Sequence, residues 1–512
     1  MNIQKCFVCL LLVMAATRAN ATPAVPGLKV STCFGDHMVL QRGKAVPIWG
    51  WASAGSKVSV KFAGQEHSAT TNKEGRWIVE LSPITTNAQG QTLTITQGSN
   101  TLEFKDILVG EVWICSGQSN MAYTMGRAGK NMPEGFDPSK YSMIRQFKAR
   151  KQKKKDFDPI DVGKWSVCSA DTVKGFTAAG FFFARKLTEE LNVPVGLLNC
   201  SKGSTRVEWW QVKSVKMFRM IRQILPQAIR GAIWYQGEHN AGGPKGYGEK
   251  LKELIDGWRK EFNQGDFPFY IVQLPNFRPA NPNAAGGDGW AIIREEQLSV
   301  TRTTANTGIA VITDTAKGPE GSAHPDNKVD CGIRLALLAL AKDYGKKDLV
   351  YSGPIFKEMR IKGNKAILSF DCVGSGFMVA RKEGLLPPKE IKDGVLGGFA
   401  IAGDDKKWYW ADAQIEGQQI IVTSKDVPTP AAVRYAFRGN PVNANLYNRE
   451  GLPAGQFRTD TWEIPDETFR WYWIEKAKEK AEPAKNEEKK LGSVTLRGAP
   501  LVNRFGDGFQ VL

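Results

Sequence analysis

Ser119 lies in Ser116-Gly117-Gln118-Ser119-Asn120-Met121, directly after the apolar run from Ile107 to Cys115. A small polar turn at the end of such a run places a hydroxyl at the carboxyl end of a strand, where open α/β sheets hold their ligands. A serine alcohol is a weak nucleophile and needs a base within hydrogen-bond reach. The chain offers four histidines for that task, His37, His67, His239 and His324.

Three more polar clusters follow short apolar runs. Asn199-Cys200-Ser201-Lys202-Gly203-Ser204-Thr205 follows Val195 to Leu198, and Gln236-Gly237-Glu238-His239-Asn240 follows Ala232 to Tyr235. Asp314 follows Ile309 to Thr313, and ten residues later comes His324-Pro325-Asp326-Asn327-Lys328. Strands of one parallel sheet would bring all four clusters to a single edge. Acyl transfer requires a nucleophile, a base, and donors aimed at the oxygen that becomes negative. Ser119 then reads as nucleophile and His324 as base, with His239 the alternative base. The backbone amides of Ser119 and Gly203, with a side chain from Gln236 or Asn240, read as oxyanion donors. Taken alone, a Ser-Asn pair would be a turn or helix cap, and His37 and His67 read as structural.

The elements that must position these groups are legible as changes of period. Between about Leu28 and Phe104, short alternating runs such as Lys57-Val58-Ser59-Val60-Lys61-Phe62 predict a small β-sandwich. From about Ile107 to Tyr344, strands alternate with helices expected at Ala178 to Leu191, Tyr247 to Phe262, Ala291 to Thr301 and Lys328 to Asp343. That pattern predicts an α/β region with a mostly parallel sheet and helices on both faces. Strand patterns return from about Val350 to Phe437 as a C-terminal β region, and a charged stretch follows Phe469. The expected division is 1–21, 22–105, 106–345, 346–465 and 466–512.

Residues 1–21 combine Lys5, an apolar segment from Cys6 to Ala16 and Ala19-Asn20-Ala21. This is the pattern of a cleaved secretory leader, too short in its apolar part for the ~20 residues of a spanning helix. The expectation is a secreted or periplasmic protein with no membrane span. Of eight cysteines, Cys33, Cys115, Cys168, Cys200, Cys331 and Cys372 lie beyond the leader. One or two disulfides are allowed outside the cytosol. The cysteine spacings match no zinc pattern and no HExxH helix occurs, so no metal and no cofactor is expected. The formal net charge is +17, and the densest basic run spans Arg145 to Lys155. It reads as a solvated loop; without an accompanying RRM, zinc finger or helix-turn-helix, nucleic acid is not expected as a partner.

Ser116 to Met121, Trp234-Tyr235-Gln236-Gly237-Glu238-His239-Asn240-Ala241, and His324 to Lys328 through Gly332-Ile333-Arg334-Leu335-Ala336 form an ordered set. Asp36-His37-Met38-Val39-Leu40-Gln41-Arg42 precedes it, and Asn445 to Pro453 with Phe457-Arg458-Thr459-Asp460 follows. The set resembles the sialate O-acetylesterase family of the SGNH (GDSL-like) hydrolases, over residues 27 to 462. The resemblance implies an SGNH-type α/β/α catalytic domain with attached β regions, and hydrolysis of O-acetyl esters on carbohydrate without a cofactor. It implies Ser119 as nucleophile, His324 as base, Gly203 as second oxyanion position and the Gln236 to Asn240 turn as third. Glu238 then orients a sugar hydroxyl or His239, or supports the turn.

This chain departs from the family in carrying Gly203-Ser204-Thr205 for Gly-Gly-Thr, and His239 for Ser. Many members also place an aspartate two or three residues before the histidine, where this chain has Gly321-Ser322-Ala323. The acid behind His324 is therefore expected at Glu320, with Asp314 or a Ser-His dyad as the alternatives. Sialic acid esters, acetylated xylan or other polysaccharides, and a non-catalytic carbohydrate-binding relative are the readings that remain. The loop from Asn276 to Asp288, rich in Pro, Asn and Gly, is a candidate lid.

Overall fold

The computed structural model describes residues 27–129, 131–150 and 160–470. The leader, Lys151 to Lys155 of the basic run, and the tail beyond Arg470 lie outside the described residues.

The organising element is one strand, Asn100–Gly117. Its first half pairs antiparallel with Asn87–Gln97 inside the N-terminal β region. Its second half enters the middle of the large sheet, between Val195–Ser201 and Gly231–Tyr235, parallel to both. The expected boundary at 105/106 thus falls within a continuous strand. Val39–Gln41 also pairs with Leu108 to Gly110, which ties the sandwich to the catalytic sheet.

Across the sheet the order is Gly163–Val167, Ile144–Ala149, Val195–Ser201, Asn100–Gly117, Gly231–Tyr235, Phe269–Val272 and Thr307–Ala310. Only the Gly163–Val167 edge runs antiparallel to its neighbour. The Ile144–Ala149 strand corrects the expectation of a solvated loop at the start of the basic run. Its Arg145 is buried, and the guanidinium hydrogen-bonds the backbone carbonyl and carboxylate of Asp106. A charge run read only by its charge hides an arginine whose stem and head are both satisfied inside.

Alternation along the central strand decides which helices cover which face. Trp113 and Cys115 point into a core shared with helices Ala178–Leu191 and Lys328–Asp343. Val112 and Ile114 point into the opposite core, with Tyr247–Phe262 and Gly289–Thr303. Successive side chains of a strand face opposite sides, so each buried residue specifies one layer. The result is the expected α/β/α arrangement. Left-handed Asn192 and Asn263 end two of the helices, and Asp288 and Asn327 cap the starts of the other two. Asn commonly takes that C-terminal place because its short polar side chain tolerates αL, and its side-chain oxygen also suits it to cap N-termini.

Beyond residue 350 the chain forms three small antiparallel sheets. Their core centres on Phe370, Phe377, Phe399, Tyr435 and Phe457. The 276–288 segment is pinned to this region: Phe277 N donates to Gly439 O (3.1 Å) and Gly287 N to Phe437 O (2.8 Å). Arg434 and Arg438 also donate to backbone carbonyls of the segment. It is therefore a wall braced at both ends rather than the free lid its composition suggested. All six cysteines of the described residues are free thiols, five of them buried, so the disulfides allowed by the sequence are not formed.

Candidate active site

Gly117 ends the central strand with φ +128°, and a Cβ there would stand 2.1 Å from the carbonyl oxygen of Tyr235. Only glycine permits this approach. Gln118 N then donates to the same carbonyl (2.9 Å), and the chain turns into the short helix Ser119–Ala122. Ser119 begins that helix at the sheet edge, and His324 Nε2 lies 2.7 Å from Ser119 Oγ. Residues 205 positions apart in the chain meet at hydrogen-bond distance.

Gly203 lies beside them, its Cβ position 3.5 Å from Ser119 Cβ. Among the described residues neither the Ser119 nor the Gly203 amide is spent on another hydrogen bond. These are the open donors next to the nucleophile.

Gln236 and Asn240, expected at the third oxyanion position, are engaged in the turn itself. Gln236 is fully buried; its Nε2 lies within bonding distance of Asn240 Oδ1 (2.8 Å), Thr205 O (2.9 Å) and Gln118 Oε1 (3.2 Å). Its Oε1 accepts from the Tyr247 hydroxyl. Asn240 accepts from Val207 N and turns its carboxamide nitrogen to Glu208. Both side chains hold the turn together, and neither hydrogen-bonds Ser119 or His324. Gly237, at φ +150° and with no room for a Cβ against Ile293, lets the chain make that turn.

Glu238 is not a free ligand for substrate either. Its Oε1 accepts from Asn120 Nδ2 (2.6 Å), and its enclosed Oε2 has no partner among the described residues. Burial pushes the carboxyl up to about 6, against the pull of Asn120 and Lys328. Asn120 is the residue whose role the sequence did not show. Its Nδ2 also donates to Ala323 O (2.7 Å), one residue before His324, and its Oδ1 accepts from Lys328 Nζ (2.6 Å). Lys328 is buried, donates also to Pro325 O, and is lowered to about 8 by desolvation. The only sequence signal for this network was proximity: Asn120 follows the nucleophile, and Lys328 lies four residues after the base.

The expected acid is not brought to His324. Glu320 is exposed and makes no contact with the imidazole, and Asp314 is held by Arg334 at 2.6 and 2.8 Å. Asp326, two residues past the histidine, accepts from the Tyr123 hydroxyl (2.6 Å). The groups acting on His324 are its burial and the charges of Lys328 and Arg127, all of which lower its pKa. His239 stands apart from this pair, against Trp209, and its amide donates to Gln118 Oε1. His37 pairs with Asp106, and His67 lies 3.2 Å from the Gln65 carboxamide. No cluster of potential metal ligands occurs among the described residues, and no helix there is long and apolar enough to cross a membrane.

Residues 109–340 match the family model for carbohydrate esterases described as sialic acid-specific acetylesterase. The solved structure of a carbohydrate acetylesterase from Xanthomonas citri is 34% identical, with TM-score 0.76, and the match covers 85% of this chain and 100% of that one. The chain belongs to the carbohydrate acetylesterase family. It is a carboxylic ester hydrolase with an SGNH-like fold. Sialate O-acetylesterase of Rattus norvegicus is 27% identical over 88% of this chain and 97% of its own length. The Homo sapiens enzyme is 28% identical over 67% of this chain and 76% of its own length.

Proposed function

We propose that this carbohydrate acetylesterase works through a Ser119–His324 dyad. The observation that carries this reading is the 2.7 Å contact between Ser119 Oγ and His324 Nε2 at the sheet edge. His324 takes the hydroxyl proton as Ser119 attacks the acetyl carbonyl, and the Ser119 and Gly203 amides receive the oxyanion. The tetrahedral intermediate collapses as His324 returns the proton to the departing sugar oxygen. Water, deprotonated by the same imidazole, then cleaves the acetyl-serine to acetate and free enzyme. Each preorganised oxyanion donor contributes about 100- to 1000-fold in turnover.

O-acetylated carbohydrate is the substrate class. Sialic acid esters are the first expectation, since the curated relatives are sialate O-acetylesterases. Acetate release from O-acetylated sialosides, acetylated xylan and acetylated pectin, with Ser119→Ala as control, tests both chemistry and substrate. Release that persists in the control removes the dyad. The leader pattern of residues 1–21 supports export, and the mass of the mature chain, starting at Thr22, checks it.

The dyad makes a specific pH dependence. A general base must be neutral, so activity falls as pH drops through the His324 pKa. Burial, Lys328 and Arg127 place that pKa below the ordinary histidine range, so the acid limb of kcat/KM should lie below it too. In Arg127→Gln one cation is gone, the imidazolium is less disfavoured, and the limb should move to higher pH. Glu320→Ala should superimpose on the wild-type profile with turnover within about twofold, because no carboxylate among the described residues hydrogen-bonds the ring. An unmoved limb in Arg127→Gln, or a tenfold loss in Glu320→Ala, would reject this electrostatic picture.

A further inference from the structure

Away from Ser119 the structure holds a cavity of about 250 Å³ between the 276–288 segment and the C-terminal β region. Its walls include Asn281, Pro282, Trp410, Arg438, Val442 and Asn443. Trp410 ends the short strand Trp408–Trp410 on the edge of its sheet, and is 47% exposed. Trp408 and Trp410 lie on the same side of that strand. Arg434 stacks on Trp408 at 4.1 Å and Arg438 on Trp410 at 4.2 Å. A buried guanidinium thus holds one face of an indole that is left open to solvent on the other.

The charge of Arg438 is not offered to a ligand. Its Nη1 donates to Asn281 O (2.7 Å) and its Nη2 to Ala284 O (3.3 Å), while the Asp288 carboxylate attracts and partly compensates its charge. Besides Arg438, the cavity is lined by the half-exposed Trp410, an exposed Val442, and the amide-bearing Asn281 and Asn443. A flat π-face suits the axial C–H bonds of an all-equatorial pyranose, and amides suit its hydroxyls. A site without available charge complements a neutral sugar rather than an anionic one. The volume is below the roughly 300–1,000 Å³ that encloses a drug-sized ligand, and so suits one ring of a longer chain.

The cavity is also joined to the catalytic loop. Asn440, next to the cavity residue Pro441, donates from Nδ2 to Arg278 O (2.6 Å) and Pro319 O (2.7 Å). Ser322 N donates to Asn276 O (3.0 Å), and His324 N to Ser322 Oγ (3.1 Å). One hydrogen-bonded frame therefore carries both the cavity wall and the base.

We infer that this cavity is a second carbohydrate site, in which Trp410 stacks a ring of a neutral glycan of all-equatorial pyranoses whose acetylated residue is processed at Ser119. The inference rests on the proposed function and names a polymeric substrate for it. Xylohexaose and cellohexaose, both unacetylated, and an α-2,8-linked sialic acid hexamer would be titrated calorimetrically into the full-length mature protein. At least one neutral hexamer should bind, and Trp410→Ala should weaken it at least tenfold. In that variant KM for acetylated xylan or acetylated glucan should rise at least fivefold, with kcat/KM on an aryl acetate within twofold of wild type.

Wild-type affinity in Trp410→Ala, no binding of either neutral hexamer, or binding of the sialic acid hexamer alone would overturn the site. If Trp410→Ala fails to fold, Val442→Glu reads the same wall, where an introduced charge should also cost at least tenfold and unchanged affinity would reject the proposal. Hexamer binding does not depend on Ser119 chemistry, so loss of this site and loss of the dyad are told apart by the aryl acetate rate in Ser119→Ala.

Discussion

Ser119→Ala should lower acetyl ester hydrolysis on the order of 10⁴- to 10⁶-fold, while leaving the thermal unfolding midpoint near that of the wild type. The expected loss is large because Ser119 Oγ is the hydroxyl at 2.7 Å from His324 Nε2, and three hydroxyls at the neighbouring strand ends are bonded elsewhere. Ser116 Oγ donates to Cys200 O, Ser201 Oγ to Asn199 Oδ1 and Thr205 Oγ1 to Lys202 O. The Ser119 and Gly203 amides would still face the site in the variant. Any residual rate therefore measures what oxyanion binding achieves without a nucleophile. Initial rates on an aryl acetate and on an acetylated sugar provide the check; activity above about a tenth of wild type would exclude Ser119 as the attacking group.

The second large effect belongs to Asn120→Ala. One side chain bonds Glu238, the Ala323 carbonyl and Lys328 at 2.6 to 2.7 Å. Its removal leaves a buried ammonium and a buried carboxyl short of a partner and unfastens the residue preceding His324. Leaving a buried polar group short of its hydrogen-bond partner costs about 1–3 kcal/mol, more where the group is charged, so stability to urea should fall clearly. A base displaced by about 1 Å loses roughly 100-fold in rate. The expected signature is a fall of that size in kcat with KM within about threefold, because Asn120 acts on the base and not on the sugar. Wild-type kcat in a folded Asn120→Ala protein would show that the loop is held by other contacts and would remove Asn120 as a positioning residue.

These two residues show where reading from sequence succeeds and stops. Ser119 was visible because a polar turn ended a long apolar run, and helices such as Tyr247–Phe262 were visible through their period. Local patterns of this kind record which face of an element is buried. Asn120 stood beside Ser119 and gave no such signal. Its partners come from two segments far from it in the chain, around Glu238 and from Ala323 to Lys328, and hydrogen bonding between them leaves no trace in hydrophobic pattern. Gln236 failed in the opposite direction: its motif was plain, but the residue type of an oxyanion donor is also that of a buried turn brace. Only the positions of Thr205, Asn240 and Tyr247 decided between them.

Glu320 was chosen as the acid for its closeness in sequence to His324, which is a poor guide across a loop whose direction is set elsewhere. Asn276, Asn440 and the bridge between Phe277 and Gly321 route that loop, and they leave Glu320 in solvent.

From its sequence alone, this chain determined the α/β/α layering, the strand-end clusters that hold Ser119 and His324, and its family resemblance, because each depends on periodicity or on an ordered motif. The tertiary structure alone decided that Gln236 and Asn240 bond each other, that no described carboxylate hydrogen-bonds His324, and that Asn120 and Lys328 tie down the loop that carries it. Those outcomes depend on which distant groups compete for the same few hydrogen bonds, and that competition is settled only once the sheet has brought them to one edge.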